Sequence, residues 1–207
     1  MIRVKICGIT SRADAWEAVE AGADALGFIF VKDTPRYIEP EAAAAIAAEM
    51  PPFVAIVGVF IDRTVEEVEK ITQVCGLSVA QLCGRESPEE CAHLRLPFVK
   101  AIQIRGEEDL AGLAQYKGAR AFLLDTYVPG LPGGTGRTFP WAIAAKAARG
   151  AKIILSGGLT PENVAEAVVQ VRPYAVDVCS GVEAFPGRKD PARVREFIDR
   201  AKKAGAH

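Results

Sequence analysis

Short apolar runs rich in Val, Ile, Leu and Phe recur along the chain, each too short for a buried helix and bounded by polar or Gly/Pro positions. They span Val4 to Cys7, Ala25 to Phe30, Phe53 to Phe60, Val79 to Leu82, Phe98 to Ile102, Ala121 to Leu124, Lys152 to Leu155 and Ala175 to Val178, which makes eight strands. Between and after them the apolar positions return at helical spacing: Asp14 to Ala21, Pro40 to Glu49, Val65 to Val74, Glu107 to Gln115, Trp141 to Ala148, Pro161 to Val171 and Pro191 to Lys202, with a shorter stretch from Pro88 to Leu94. Start signals fit these helices. Ser11 precedes the first, Thr64 precedes Val65 with Glu67 three residues on, and Pro140 and Pro161 sit where a first helical turn tolerates proline. Strict alternation of strand and helix predicts parallel strands joined by helical crossovers. Eight such units in 207 residues lie near the lower size limit of a closed (β/α)8 TIM barrel. An open doubly wound sheet is the alternative.

With half its residues apolar and a quarter charged, the chain has ordinary globular composition. No linker or repeat divides it, so residues 1–207 are expected to form one domain. A formal net charge of -1 without a long Lys/Arg run argues against nucleic acid or a membrane surface and for a small-molecule partner. No apolar stretch approaches the roughly 20 residues needed to cross a bilayer, and the opening Met1-Ile2-Arg3-Val4-Lys5 lacks signal-peptide order, which predicts a cytoplasmic protein. Monomer and homodimer are both compatible with the sequence. Five cysteines (Cys7, Cys75, Cys83, Cys91 and Cys179) with no C-x-x-C pair suit neither a disulfide framework nor a zinc knuckle. The two histidines, His93 in a helical stretch and His207 at the terminus, offer no metal site.

In a barrel, side chains alternate between the interior and the helix layer, so Val4 and Ile6 face the helices while Lys5 and Cys7 face inward. An ammonium one step below Cys7 favours the thiolate, against an ordinary thiol pKa of about 8.5, and makes Cys7 a candidate general base. Asp125 ends an apolar strand at the rim where barrel enzymes keep their active sites. Partial desolvation would raise its pKa and make it a proton donor. Asp177 on the last strand adjoins the first once the barrel closes, and is the expected countercharge for Lys5. Ser156-Gly157-Gly158 after strand seven and Ser180-Gly181 after strand eight lie where this fold commonly holds phosphate on backbone N–H groups. Arg36 follows strand two, and its planar fork suits a substrate carboxylate. The long stretch from Thr126 to Phe139 contains Gly133-Gly134-Thr135-Gly136-Arg137, which lacks the Lys-Ser/Thr ending of a P-loop and reads as a lid over the site.

Taken in order, Lys5-Ile6-Cys7-Gly8, Gly22 to Phe28, Pro35-Arg36-Tyr37, Val57 to Phe60, Leu124-Asp125-Thr126, Gly133 to Gly136, Ser156 to Leu159 and Val176 to Glu183 resemble the phosphoribosylanthranilate isomerase family nearly end to end. The resemblance implies an Amadori rearrangement of N-(5-phosphoribosyl)anthranilate in tryptophan biosynthesis, without a cofactor. Asp125 would protonate the furanose ring oxygen, the Cys7 thiolate would take the C2 proton, Arg36 would hold the anthranilate carboxylate, and Gly157, Gly158, Ser180 and Gly181 would hold the phosphate. Two positions depart from the family pattern, Cys83 where histidine is common and Pro140 where aspartate is common, while Cys179 in place of a frequent serine is a small change of similar shape. Another barrel isomerising a phosphorylated sugar is the rival enzyme, although its histidine-pathway form is expected to carry aspartate on strand one. A phosphate-ligand binding module without turnover is the rival from outside enzymes.

Overall fold

The computed structural model describes residues 2–126 and 138–206. Eight parallel strands close on themselves in sequence order, β1 (Arg3–Cys7), β2 (Ala25–Ile29), β3 (Ala55–Phe60), β4 (Val79–Leu82), β5 (Phe98–Ile104), β6 (Ala121–Thr126), β7 (Ile153–Leu155) and β8 (Ala175–Val178), with β8 pairing back onto β1. The closed barrel, not the open sheet, is therefore the fold. Helices α1 (Arg12–Glu20), α2 (Pro40–Ala47), α3 (Val65–Cys75), α4 (Pro88–Ala92), α5 (Trp141–Ala147), α6 (Val164–Val171) and α7 (Pro191–Ala204) lie between and after the strands. No helix among the described residues is long and apolar enough to cross a membrane.

Two cores hold the layers apart. Val99, Ala121, Leu123, Ile154 and Ala175 fill the barrel interior, while Val4, Ile6, Leu26 and Phe28 turn outward and pack with Ala15, Ala18, Phe197 and Ile198 of the helices. Burying side chains of this size stabilises by about 1.5–3 kcal/mol each, so a one-residue slip of any strand, which would exchange its two faces, is strongly disfavoured. Capping is local and readable: Ser11 accepts from the Asp14 N–H, and Thr64 with Glu67, like Ser87 with Glu90, forms a reciprocal capping box.

The structure departs from the sequence reading in four places. Phe53 is 96 % exposed and stands outside β3, because the Pro51-Pro52 pair makes a turn there. Residues Glu107–Gln115 wind as a 3-10 helix with no fully buried residue; Leu110 and Leu113 reach the core only in part, and Gly112 between them disfavours an α-helix. Pro161 falls in a turn ahead of α6, where the Asn163 side chain accepts from Thr160 N–H and donates to Gly158 O. Pro140 occupies the N-cap of α5, not its first turn. The proposed lid at Gly133 to Arg137 lies outside the described residues.

Candidate active site

Seven of the sequence-selected positions, Cys7, Arg36, Asp125, Gly157, Gly158, Ser180 and Gly181, line one cavity of about 150 Å³ at the C-terminal rim of the barrel. Asp177 lines it too, and Lys5 lies directly below Cys7. His93 is exposed, on the end of α4. Among the described residues, no group of three or more His, Cys, Asp or Glu is placed to hold a metal ion.

The floor of the cavity follows from register. Lys5 and Asp177 are direct cross-strand partners on β1 and β8, and Lys5 Nζ donates to Asp177 Oδ1 at 2.7 Å with both side chains only 6 % exposed. Ser156 Oγ donates to the other carboxylate oxygen at 3.2 Å. Burial opposes the Lys5 charge, but Asp177 and then Cys7 outweigh it, and the ammonium is held well above its ordinary range. Gly27 of β2 lies opposite Cys7. A Cβ there would fall 2.8 Å from Cys7 Sγ and 3.0 Å from Lys5 Cε, so only glycine leaves room for the thiol and the ammonium to stand side by side.

Cys7 is 4 % exposed, and its pKa is lowered to about 7. The Cys179 thiol, donating a hydrogen bond to it, is the largest cause. Burial pushes the other way, and the nearby Lys5 charge lowers the value further. Cys179 itself is raised well above the ordinary thiol range, first by that hydrogen bond and then by burial, so of the pair Cys7 is the sulfur that ionises. Across the cavity, burial raises Asp125 to about 6, against a Thr126 backbone N–H that donates to its Oδ1 at 2.7 Å. A thiol that loses its proton early and a carboxyl that keeps its proton late face the same space, which is the arrangement acid/base chemistry needs. Alkylation of Cys7 by iodoacetamide, followed peptide by peptide, should rise with a midpoint near pH 7; a midpoint at the ordinary thiol value of about 8.5 would contradict this picture.

Gly157 (φ +83) and Gly158 (φ +65) turn the chain after β7 in the left-handed region. A Cβ on Gly157 would lie 2.6 Å from Thr126 N and 2.8 Å from Asp125 Oδ1, so that turn also fixes how closely the acid is approached. Among the described residues, the N–H groups of Gly157 and Gly158 donate to no protein acceptor. Ser180 and Gly181 open a 3-10 turn (Ser180–Val182), whose first N–H groups have no partner within the turn. Both turns line the same cavity.

Arg36 is more constrained than its sequence context suggested. Its Nε and Nη2 donate to Glu183 Oε1 and Oε2 at 2.9 and 2.7 Å, so one edge of the fork is occupied by protein and the end bearing Nη1 remains for a ligand. Glu183 also accepts from the buried Lys189 Nζ at 3.1 Å. Sequence reasoning missed the Glu183 clamp, although the residue closes the Val176 to Glu183 motif. Cys83, in the position that departs from the family pattern, lines the cavity as a neutral thiol. Burial raises it to about 12, and Gln81 Nε2 contacts its sulfur at 3.3 Å.

A profile of the family described as N-(5'phosphoribosyl)anthranilate (PRA) isomerase matches residues 4–200. The chain belongs to this family. It is 55 % identical over 203 residues to an N-(5'-phosphoribosyl)anthranilate isomerase of Citrifermentans bemidjiense, covering 98 % of each chain. The crystal structure of phosphoribosyl anthranilate isomerase from Thermotoga maritima superposes with a TM-score of 0.92 at 45 % identity, covering 98 % of this chain and 100 % of that one. Another isomerase structure, solved in complex with reduced 1-(o-carboxyphenylamino)-1-deoxyribulose 5-phosphate, matches with a TM-score of 0.89 at 43 % identity over 98 % of this chain and all of the other.

Proposed function

We propose that this phosphoribosylanthranilate isomerase uses Asp125 as general acid and Cys7 as general base on N-(5'-phosphoribosyl)anthranilate, within one catalytic domain spanning the chain. The observation that carries the reading is the pairing of opposite shifts: Cys7 lowered to about 7 and Asp125 raised to about 6, both facing one cavity. The isomerisation belongs to tryptophan biosynthesis and yields 1-(2-carboxyphenylamino)-1-deoxyribulose 5-phosphate.

The protonated Asp125 carboxyl gives its proton to the furanose ring oxygen as the C1–O bond breaks, opening the sugar to a Schiff base. The Cys7 thiolate then takes the C2 proton, and the electrons of that bond form the enolamine, which tautomerises to the ketone. The Lys5 ammonium below Cys7 favours the thiolate before transfer, and Asp177 and Ser156 hold that ammonium in place. The turns at Gly157, Gly158, Ser180 and Gly181 bind the phosphate, whose binding energy orients C1 and C2 between acid and base. Arg36, braced by Glu183, binds the anthranilate carboxylate through its Nη1 end.

Two measurements separate these parts. Purified protein should abolish the fluorescence of phosphoribosylanthranilate as product forms; saturable binding without conversion would favour the binding module instead. Arg36→Met should raise KM roughly tenfold to a hundredfold, the scale of a hydrogen bond to a charged group, with a smaller effect on kcat. Glu183 keeps its Lys189 partner in that variant, so the fold should persist. An unchanged KM would remove Arg36 from carboxylate binding.

A further inference from the structure

The last register pair between β1 and β8 is Ile6 with Val178. The next residue on each side is a cysteine, Cys7 and Cys179. Neighbouring strands run about 4.8 Å apart, inside the Cα separation of roughly 4.4–6.8 Å that a disulfide spans. Cys7 and Cys179 line the same cavity, and Cys179 Sγ lies against the residue that follows Cys7, since a Cβ on Gly8 would fall 2.8 Å from it; the Cys179 thiol otherwise faces Glu183 Oε1 at a long 3.8 Å. Each sulfur also has its own cation: Lys5 beside Cys7, and Lys189 with Nζ 3.8 Å from Cys179 Sγ and 3.1 Å from its carbonyl oxygen. The other thiols are placed differently. Cys75 donates to Pro40 O in the helix layer, Cys91 is buried in α4, and Cys83 is engaged by Gln81.

We propose that Cys7 and Cys179 form an oxidisable dithiol, at which a hydroperoxide makes an intramolecular disulfide that closes the active site until a thiol reductant reopens it. The Cys7 thiolate attacks one peroxide oxygen; the S–O bond forms, the O–O bond breaks, and the departing hydroxide takes up the proton that Cys7 released on ionising and leaves as water. Cys179 sulfur then attacks the Cys7 sulfenic acid; the S–S bond forms, the S–O bond breaks, and the Cys179 proton leaves with the second water. Two thiols lose two electrons and hydrogen peroxide becomes two waters. Dithiothreitol reverses the result by exchange.

Loss of activity on oxidation rests on the base role of Cys7 proposed above, whereas disulfide formation does not. The test treats the full chain with hydrogen peroxide and reads intact mass, peptide cross-links and turnover together. The expected result is a mass loss of about 2 Da, a linked Cys7–Cys179 peptide, and a matching fall in activity, all reversed by dithiothreitol. Cys179→Ser should show no such loss and instead gain oxygen at Cys7, with incomplete recovery by dithiothreitol. Absence of the Cys7–Cys179 peptide from oxidised wild-type protein, or linkage to a different cysteine, would overturn the inference and leave the catalytic assignment standing. The linked peptide in a protein that keeps full turnover would overturn both the closure of the site and the base role of Cys7.

Discussion

Replacing Cys7 with serine is expected to lower kcat at least about a hundredfold, the scale of a lost general base, while the barrel stays folded. Serine is close to cysteine in size and polarity and can take the same place beside Gly27, Lys5 and Cys179, so packing changes little. Ionisation changes greatly. The neighbours that bring the Cys7 thiol to about 7 act on a hydroxyl whose proton is held far more tightly, and no useful fraction of alkoxide forms near neutral pH. A thermal unfolding midpoint within a few degrees of wild type, together with the collapse in kcat, would separate chemistry from stability. Near-normal turnover would remove Cys7 from the mechanism.

Asp125→Asn should cost kcat a comparable factor, at least about a hundredfold, for the complementary reason. The amide keeps the carboxyl's shape and can still accept the Thr126 N–H, but it has no acidic proton to give the ring oxygen. Because burial raises Asp125 to about 6, its protonated fraction shrinks steadily above that value, and wild-type activity should decline on the alkaline side of its optimum, above about pH 7, where Cys7 is already largely ionised. The residual rate of the asparagine variant should lack this alkaline decline. A variant that retains near-normal turnover would show that the ring opens without Asp125.

The fold was legible because each strand is a short apolar run and each helix carries its own start signal. Errors came where those signals merge with turn chemistry: Phe53 extends an apolar run across a Pro-Pro turn, and in the Glu107–Gln115 stretch Leu110 and Leu113 keep helical spacing while Gly112 between them weakens an α-helix. The Lys5–Asp177 pair could be anticipated because an eight-stranded barrel brings its last strand beside its first, and an inward ammonium demands a countercharge. Cys7, Asp125 and the two glycine turns could be located by their places at strand ends. The Glu183 clamp could not, because Glu183 lies on β9 (Glu183–Phe185), which pairs with β10 (Arg188–Lys189) outside the barrel, and no periodicity relates either strand to Arg36. The Cys179–Cys7 contact depends on the register of closure, so Cys179 read from sequence was only a substitute for serine. Gly27 looked like part of a motif, and its reason emerges only when the side chains of the neighbouring strand are in place.

One wall of the cavity makes a thiol easier to ionise while the other makes a carboxyl harder to ionise. The pH profile of kcat/KM tests it most directly, with the substrate phosphate's own ionisation near pH 6 measured separately and removed. Values of about 7 for Cys7 and about 6 for Asp125 predict a narrow bell centred near pH 6.5, where only about 6 % of the enzyme holds thiolate and protonated carboxyl together. Activity should fall on the acid side as Cys7 gains its proton and on the alkaline side as Asp125 loses its own. A corrected profile that is flat from pH 5 to 8, or that keeps rising beyond pH 8, would contradict it.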